Sequence, residues 1–190
     1  PPVPPSLDDE DEVLLPLAEE LGRGLVEYIG GPQFAHLLLG PLENLAVVEE
    51  TVVREKACDS INQLAGIMSD QQIQTFYLPL LHRLSSGEWF TSRTSAALLF
   101  ASVYEKIPLS MRADVLSMFV SLCTDETPMV RRAAARDMSA LVKRMSPEVI
   151  INEMLPLYRR LSADDQASVR RLTVQHLVAM AAVRRPAVAA

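Results

Sequence analysis

Apolar residues recur along this chain at the three- and four-residue steps of amphipathic helices, and short runs of acidic residues, glycine or proline interrupt them at regular intervals. Val13, Leu14, Leu17, Leu21, Leu25 and Ile29 form one stripe, stopped by Gly30-Gly31-Pro32, the residues that end a helix. This stripe reads as the second helix of a unit whose first helix is missing. Four helix pairs follow. The first pairs residues 33–48 with 52–68, Thr51 serving as N-cap. The second opens with the capping box Ser69-Asp70-Gln71-Gln72, carries Ile73, Phe76, Leu80, Leu81 and Leu84, and pairs with a helix over 90–106 closed by Pro108. The third pairs 110–123 with 128–145 and the fourth 147–161 with 166–183. Thr127-Pro128 and Ser146-Pro147 each set a capping hydroxyl before a proline at the first helical position.

The pairs are copies of one pattern. A leucine recurs at Leu45, Leu84, Leu122 and Leu161, an acid at Glu49, Glu88, Glu126 and Asp165, and an arginine at Arg54, Arg93, Arg131 and Arg170, every series stepping by 39, 38 and 39 residues. A small residue (Ala57, Ala96, Ala134, Thr173) and an apolar one (Ile61, Phe100, Met138, Leu177) keep the same step. A period of roughly 20 to 50 residues marks stacked units, and two-helix repeats of the HEAT type lie at about 40 to 47. The sequence therefore predicts an all-α fold, an α-solenoid or superhelix of HEAT repeats. A Pro-rich acidic leader over 1–12 is expected to be flexible or to lead into the first helix. The array spans 13–185, with complete units over 33–68, 69–107, 108–145 and 146–183, and a tail over 186–190.

The recurring positions have physical roles. Leu42/Leu45, Leu81/Leu84, Phe119/Leu122 and Tyr158/Leu161 put pairs on one face of each first helix, A, facing the stripe Val53, Ala57, Ile61, Leu64 and its equivalents on the second helix, B. The small residue lets neighbouring helices approach. The loop acid and the arginine that opens helix B are expected to alternate as a ladder along one edge, worth ~0.2 to 1 kcal/mol per exposed pair and fixing register between units.

Composition refines this picture. Hydrophobic residues make up 49% of the chain but aromatics only 5%, so Leu, Ala, Val and Met fill the core, as packed helices prefer. The net charge of -6 is unevenly spread: residues 1–95 hold 5 basic and 15 acidic residues, 96–190 hold 13 basic and 9 acidic. Cys58 and Cys123 lie inside apolar patterns and read as reduced, buried thiols of an intracellular protein. The start lacks the basic region of a signal peptide, and no uncharged run nears the ~18 apolar residues of a membrane span. A soluble protein of the cytoplasm is expected, with the nucleus as alternative compartment. The missing initiator Met suggests a fragment or a processed product.

Chemistry is sparse. His36, His82 and His176 have no metal-ligand spacing, no phosphate-binding glycine loop occurs, and no serine sits in a nucleophile turn, so neither metal, cofactor nor enzymatic activity is expected. Nucleic-acid binding would rest on Arg131-Arg132, Arg159-Arg160, Arg170-Arg171 and Arg184-Arg185, but no aromatics alternate with these pairs and acids stand beside them. Trp89-Phe90 and Pro128-Met129 place apolar groups in loops that face solvent, and stacked loops of a solenoid form one strip. They read as a partner-binding ridge. A generic HEAT or armadillo adaptor is the alternative of the same class.

Three stretches carry a resemblance: Glu49-Glu-Thr-Val-Val-Arg-Glu-Lys-Ala57, Ser85-Ser-Gly-Glu-Trp-Phe-Thr-Ser-Arg-Thr-Ser-Ala96 and Asp125-Glu-Thr-Pro-Met-Val-Arg-Arg-Ala-Ala-Ala135. With Gly30-Gly-Pro-Gln-Phe-Ala-His36 and Leu78-Pro-Leu-Leu-His-Arg-Leu84, they resemble the scaffold (65 kDa regulatory) subunit family of protein phosphatase 2A over residues 11–180. The resemblance implies a non-catalytic HEAT-repeat horseshoe whose N-terminal loops bind a regulatory B-type subunit, while its C-terminal repeats hold the catalytic subunit. It makes Glu50, Thr51, Trp89, Phe90, Pro128, Met129 and Arg132 the residues facing the regulatory subunit. The chain would be an N-terminal piece, the repeats for the catalytic subunit being absent, and binding of the catalytic subunit is expected only where those repeats are present. Gly40 replaces the first of two prolines usual in the family, and the apolar helix over 177–183 would be left uncovered.

Overall fold

The computed structural model describes residues 7–175. Among them every regular element is helical and no strand occurs. The predicted final stripe with His176 and Leu177, Arg184 and Arg185, and residues 1–6 of the leader lie outside the described residues.

Helix α1 (Leu7–Gly22) begins at Leu7, so the acidic run Asp8–Glu12 forms its first turns. Carboxylates at a helix N-terminus are stabilised by the helix dipole, which favours this start. The stripe expected to run on to Ile29 is divided: α1 stops at Gly22, and α2 (Leu25–Tyr28) is a separate short helix. Gly22 lets α1 lie close to its neighbour, since a Cβ there would stand 2.4 Å from the Ser60 side chain. Gly30 and Gly31 take φ of 104° and 91°, the left-handed region open to glycine, and terminate α2.

Unit one comprises a 3₁₀ segment (Pro32–Leu38), α3 (Leu39–Leu45) and α4 (Thr51–Ile67). Unit two runs through α5 (Asp70–Gln72), a π segment (Ile73–Tyr77), α6 (Leu78–Ser85), α7 (Phe90–Ala97) and α8 (Phe100–Val103). Unit three is α9 (Leu109–Cys123) with α10 (Pro128–Val142). Unit four is α11 (Pro147–Val149), a π segment (Ile150–Met154), α12 (Leu155–Ser162) and α13 (Ala167–Gln175). A helices pack on A helices and B helices on B helices, with α1 on α4 in the B layer, giving the two-layered α-solenoid. Leu42, Leu45, Leu81, Leu84, Phe119, Leu122, Tyr158 and Leu161 are buried, and so are Val53, Ala57, Ile61 and Leu64 facing them. Each larger aliphatic side chain among these contributes about 1.5 to 3 kcal/mol by burial.

The π segments have a covalent cause. Pro79 and Pro156 lack an N–H and crowd the preceding turn, so the helix widens before them: Leu78 N–H bonds to Ile73 O and Leu155 N–H to Ile150 O, each five residues back. Helix A of unit three has no proline and is uninterrupted. The stripe in unit two is Ile73, Tyr77, Leu80, Leu81 and Leu84; Phe76, expected within it, is 39% exposed and stacks on His36 with ring centroids 4.1 Å apart. Helix B of unit two, expected continuous over 90–106, breaks at Leu98 and Leu99. Its freed carbonyls are taken up by side-chain donors: half-buried Asn62 Nδ2 donates to Leu98 O at 3.1 Å and buried Tyr77 Oη to Leu99 O at 3.0 Å.

Candidate partner-binding ridge and groove

The four A-to-B loops are built alike because one arginine closes each. Arg54 Nη1 donates to the carbonyls of Val48 (2.7 Å) and Glu49 (2.5 Å), Arg93 Nη1 to Gly87 (2.9 Å) and Glu88 (2.7 Å). Arg131 Nη1 does the same to Asp125 (2.9 Å) and Glu126 (3.1 Å), and Arg170 Nη1 to Asp164 (2.6 Å) and Asp165 (3.0 Å). The arginine recurs because a tight loop at the end of helix A leaves carbonyls without helical partners, and a guanidinium supplies several donors in one plane.

In units two and three the remaining donors of the fork reach forward. Arg93 Nε meets Asp125 Oδ2 at 2.7 Å and Arg131 Nε meets Asp164 Oδ2 at 2.7 Å, with side chains only 8% to 14% exposed. The ladder thus uses chiefly the residue before the periodic acid, which turns its carboxylate between the units while Glu88 and Glu126 face water; Asp165 joins as a second acceptor for Arg131 at 2.7 Å. Unit two has Gly87 at the inner position, so Arg54 finds no rung there and bonds Thr51 Oγ1 at 3.0 Å. Thr51 is the first residue of α4 and not its cap. Thr127 stands at the N-cap of α10 without capping by its side chain; its hydroxyl accepts from Arg93 Nη2 at 3.3 Å. Ser69 with Gln72 forms the full capping box and Ser146 caps through Val149 N–H.

Arg131 beside Asp164 holds that carboxyl down at about 2. For Asp125, burial pushes upward, but the bonds from Arg93 and from Thr127 N–H outweigh it and leave the carboxyl below its usual range. Both thiols are free and buried; burial pushes Cys58 up to about 12 and raises Cys123 as well.

The loops are tied to one another by hydrogen bonds. Thr91 Oγ1 donates to Val47 O at 3.1 Å, joining loop one to loop two, and the Arg93 and Arg131 rungs join two to three and three to four. On this strip Glu50, Thr51, Pro128 and Arg132 are exposed, Trp89 is 72% exposed and Met129 53%. Phe90 differs: it opens α7 and is half-buried against the core. Thr51, Met129 and Arg132 also line a groove of about 240 Å³ across the B helices, together with Glu55, Thr94 and Leu98. Sequence reasoning missed Val47 and Val52, exposed at 39% and 56% beside this strip; apolar residues two positions before and two positions after the acids Glu49 and Glu50 were the available signal. A larger cavity of 620 Å³ lies between α9 and the start of unit four, lined by Tyr104, Leu109, Leu116 and Val149 among others.

Of the arginine pairs considered for nucleic acid, Arg131 and Arg170 are occupied by loop carbonyls and, for Arg131, by two carboxylates. No group of three His, Cys, Asp or Glu residues that could hold a metal ion occurs among the described residues, and no helix among them is long and apolar enough to cross a membrane.

No protein-family model matches the chain. By fold it is similar to the crystal structure of Cex1p, with TM-score 0.58 and 12% identity over 88% of this chain and 36% of that one. An engineered protein matches with TM-score 0.54 and 16% identity over 94% of this chain and 76% of that one. By sequence it is 47% identical over 171 residues to the probable serine/threonine-protein phosphatase PP2A regulatory subunit of Caenorhabditis elegans, covering 90% of this chain and 29% of that protein. The serine/threonine-protein phosphatase PP2A 65 kDa regulatory subunit of Drosophila melanogaster is 49% identical over 75% of this chain and 24% of its own length. The protein phosphatase 2A scaffold subunit of Dictyostelium discoideum is 45% identical over 80% of this chain and 26% of its own length. The chain thus spans 29% or less of these curated relatives, and it belongs to the family of protein phosphatase 2A scaffold subunits, the 65 kDa regulatory subunits.

Proposed function

We propose that the chain is a non-catalytic scaffold segment that binds a regulatory B-type subunit of protein phosphatase 2A through its A-to-B loops. The observation that carries this reading is the ridge itself. Trp89 and Val47 on the loops, and Met129 and Val52 in the first helical turns after them, stand exposed on segments already tied to one another, so a partner meets apolar anchors whose ordering cost is paid within the scaffold. Exposed Glu49, Glu50, Glu88, Glu126 and Asp165 rim these anchors with negative charge, which suits a partner surface bearing Lys and Arg. The family's scaffold role supports the same reading. The chain itself carries out no phosphoryl hydrolysis, works in the cytoplasm or nucleus, and does not hold the catalytic subunit without further repeats.

The test is a pull-down with the immobilised chain and purified subunits. A B-type subunit is retained, whereas the catalytic subunit is retained only when it is bridged by other components. Retention of the unbridged catalytic subunit, or passage of every B-type subunit tried, contradicts the proposal.

A further inference from the structure

Glu55, Thr94 and Arg132 occupy the same repeat position on three successive B helices, and Asp59, Leu98 and Arg136 the position one turn later. Unit one thus offers acids, unit three offers bases, and unit two offers only short or uncharged side chains between them. Arg136 Nη1 crosses that gap to Glu55 Oε1 at 3.0 Å, a contact between residues 81 apart in sequence, about two repeat steps. The arginine rungs and the Thr91 bond, by contrast, join adjacent units. Helix B of unit two breaks at Leu98, which lines this same groove, and at the buried Leu99, and the break is stabilised by Asn62 and Tyr77. Arg136 is held in direction from its other side by Asp137, 3.2 Å from its Nε.

We infer that Glu55 and Arg136 form a clasp that draws units one and three together over a hinge in unit two, and so sets how far the groove bearing Thr51, Met129 and Arg132 is open. The role in partner access rests on the groove being part of the partner site; the clasp itself does not. Both side chains are about half exposed, at 49% and 45%. An ion pair this exposed shifts a closed–open balance by no more than about fivefold. It therefore biases curvature and yields to salt or to a partner that offers better contacts.

The experiment places spin labels at Gln63→Cys on α4 and Ala140→Cys on α10, both exposed positions, in the whole chain. Native Cys58 and Cys123 are buried and stay unlabelled. Glu55→Gln and Arg136→Gln lengthen and broaden the distance distribution, the double swap Glu55→Arg with Arg136→Glu restores it, and about 0.5 M salt lengthens it in the parent but not in the single variants. Distances that ignore all of these changes, in variants with unaltered circular dichroism, overturn the clasp. Affinity for a B-type subunit is measured separately on Arg136→Gln. A changed distance with unchanged affinity overturns the role in access and leaves the ridge reading, tested separately at Trp89, untouched.

Discussion

Arg131 donates to Asp164 of the following unit through Nε at 2.7 Å and Nη2 at 3.0 Å while its Nη1 holds the carbonyls behind it. One side chain therefore closes its own loop and bolts that loop to the next. Lysine retains the charge but not the planar fork. Arg131→Lys is expected to lower unfolding stability by about 1.5 to 3 kcal/mol, the range for hydrogen bonds to charged groups, read from the denaturant midpoint. Arg54→Lys, whose arginine has no forward carboxylate, is expected to lose less.

The same rungs give a pH dependence. Asp164, held at about 2 by Arg131, and Asp125, held low by Arg93 and Thr127 against its burial, are protonated more readily in the unfolded chain than in the folded one. Their stabilisation is complete above the ordinary carboxylate value of about 3.9 and is lost as pH falls through the native value. Stability is thus expected to drop between about pH 4 and pH 2, the ordinary and native values of Asp164. Asp164→Asn should flatten that part of the curve in thermal unfolding followed by circular dichroism; an unchanged slope contradicts the rung as its source.

The period of 39, 38 and 39 residues made the solenoid legible, because a two-layered array must bury the same face in every unit. Leu45, Arg54 and Ala57 with their equivalents were recoverable for that reason. The ladder's register was not: Asp125 and Asp164 are acids where units one and two have Val48 and Gly87, so they break the period that identified the rest. Pro79 and Pro156 were visible inside predicted helices and mark the widened turns, a local signal overlooked beside a strong apolar stripe. The break at Leu98 left little mark near itself, since of its stabilising donors only Ser102 is local, while Asn62 and Tyr77 lie 36 and 22 residues from the carbonyls they satisfy.

Tyr77 makes that point testable. It is fully buried, burial raises its phenol well above the usual value, and its hydroxyl serves Leu99 O, Ser102 Oγ at 3.0 Å and Asn62 Oδ1 at 3.3 Å. Tyr77→Phe keeps the ring but removes the one phenolic proton that these acceptors share, while Leu99 O keeps Ser102 Oγ at 2.9 Å, at an expected cost of about 1 to 3 kcal/mol. Hydrogen exchange should accelerate in α7 and α8 beyond what the global loss accounts for; uniform acceleration across all four units contradicts a hinge centred there.

Trp89 separates the ridge from the core. It stands at the extended N-cap of α7 with φ of -81° and ψ of 137° and is 72% exposed. Removing a large aromatic from a packed interior costs about 3 to 5 kcal/mol, whereas a surface change away from such features stays within about 0.5 kcal/mol. Trp89→Ala is therefore expected to unfold at nearly the parent denaturant concentration. If Trp89 anchors a B-type subunit, the same change weakens binding by about 2 kcal/mol or more, roughly a thirtyfold rise in Kd. As the only tryptophan it also reports on itself. Its emission in the free chain should be red-shifted and quenched by iodide, then move to the blue and become protected during titration with a regulatory subunit. Emission that stays red and quenchable at saturating partner removes Trp89 from the interface and leaves Met129 and Val52 as the anchors to test next.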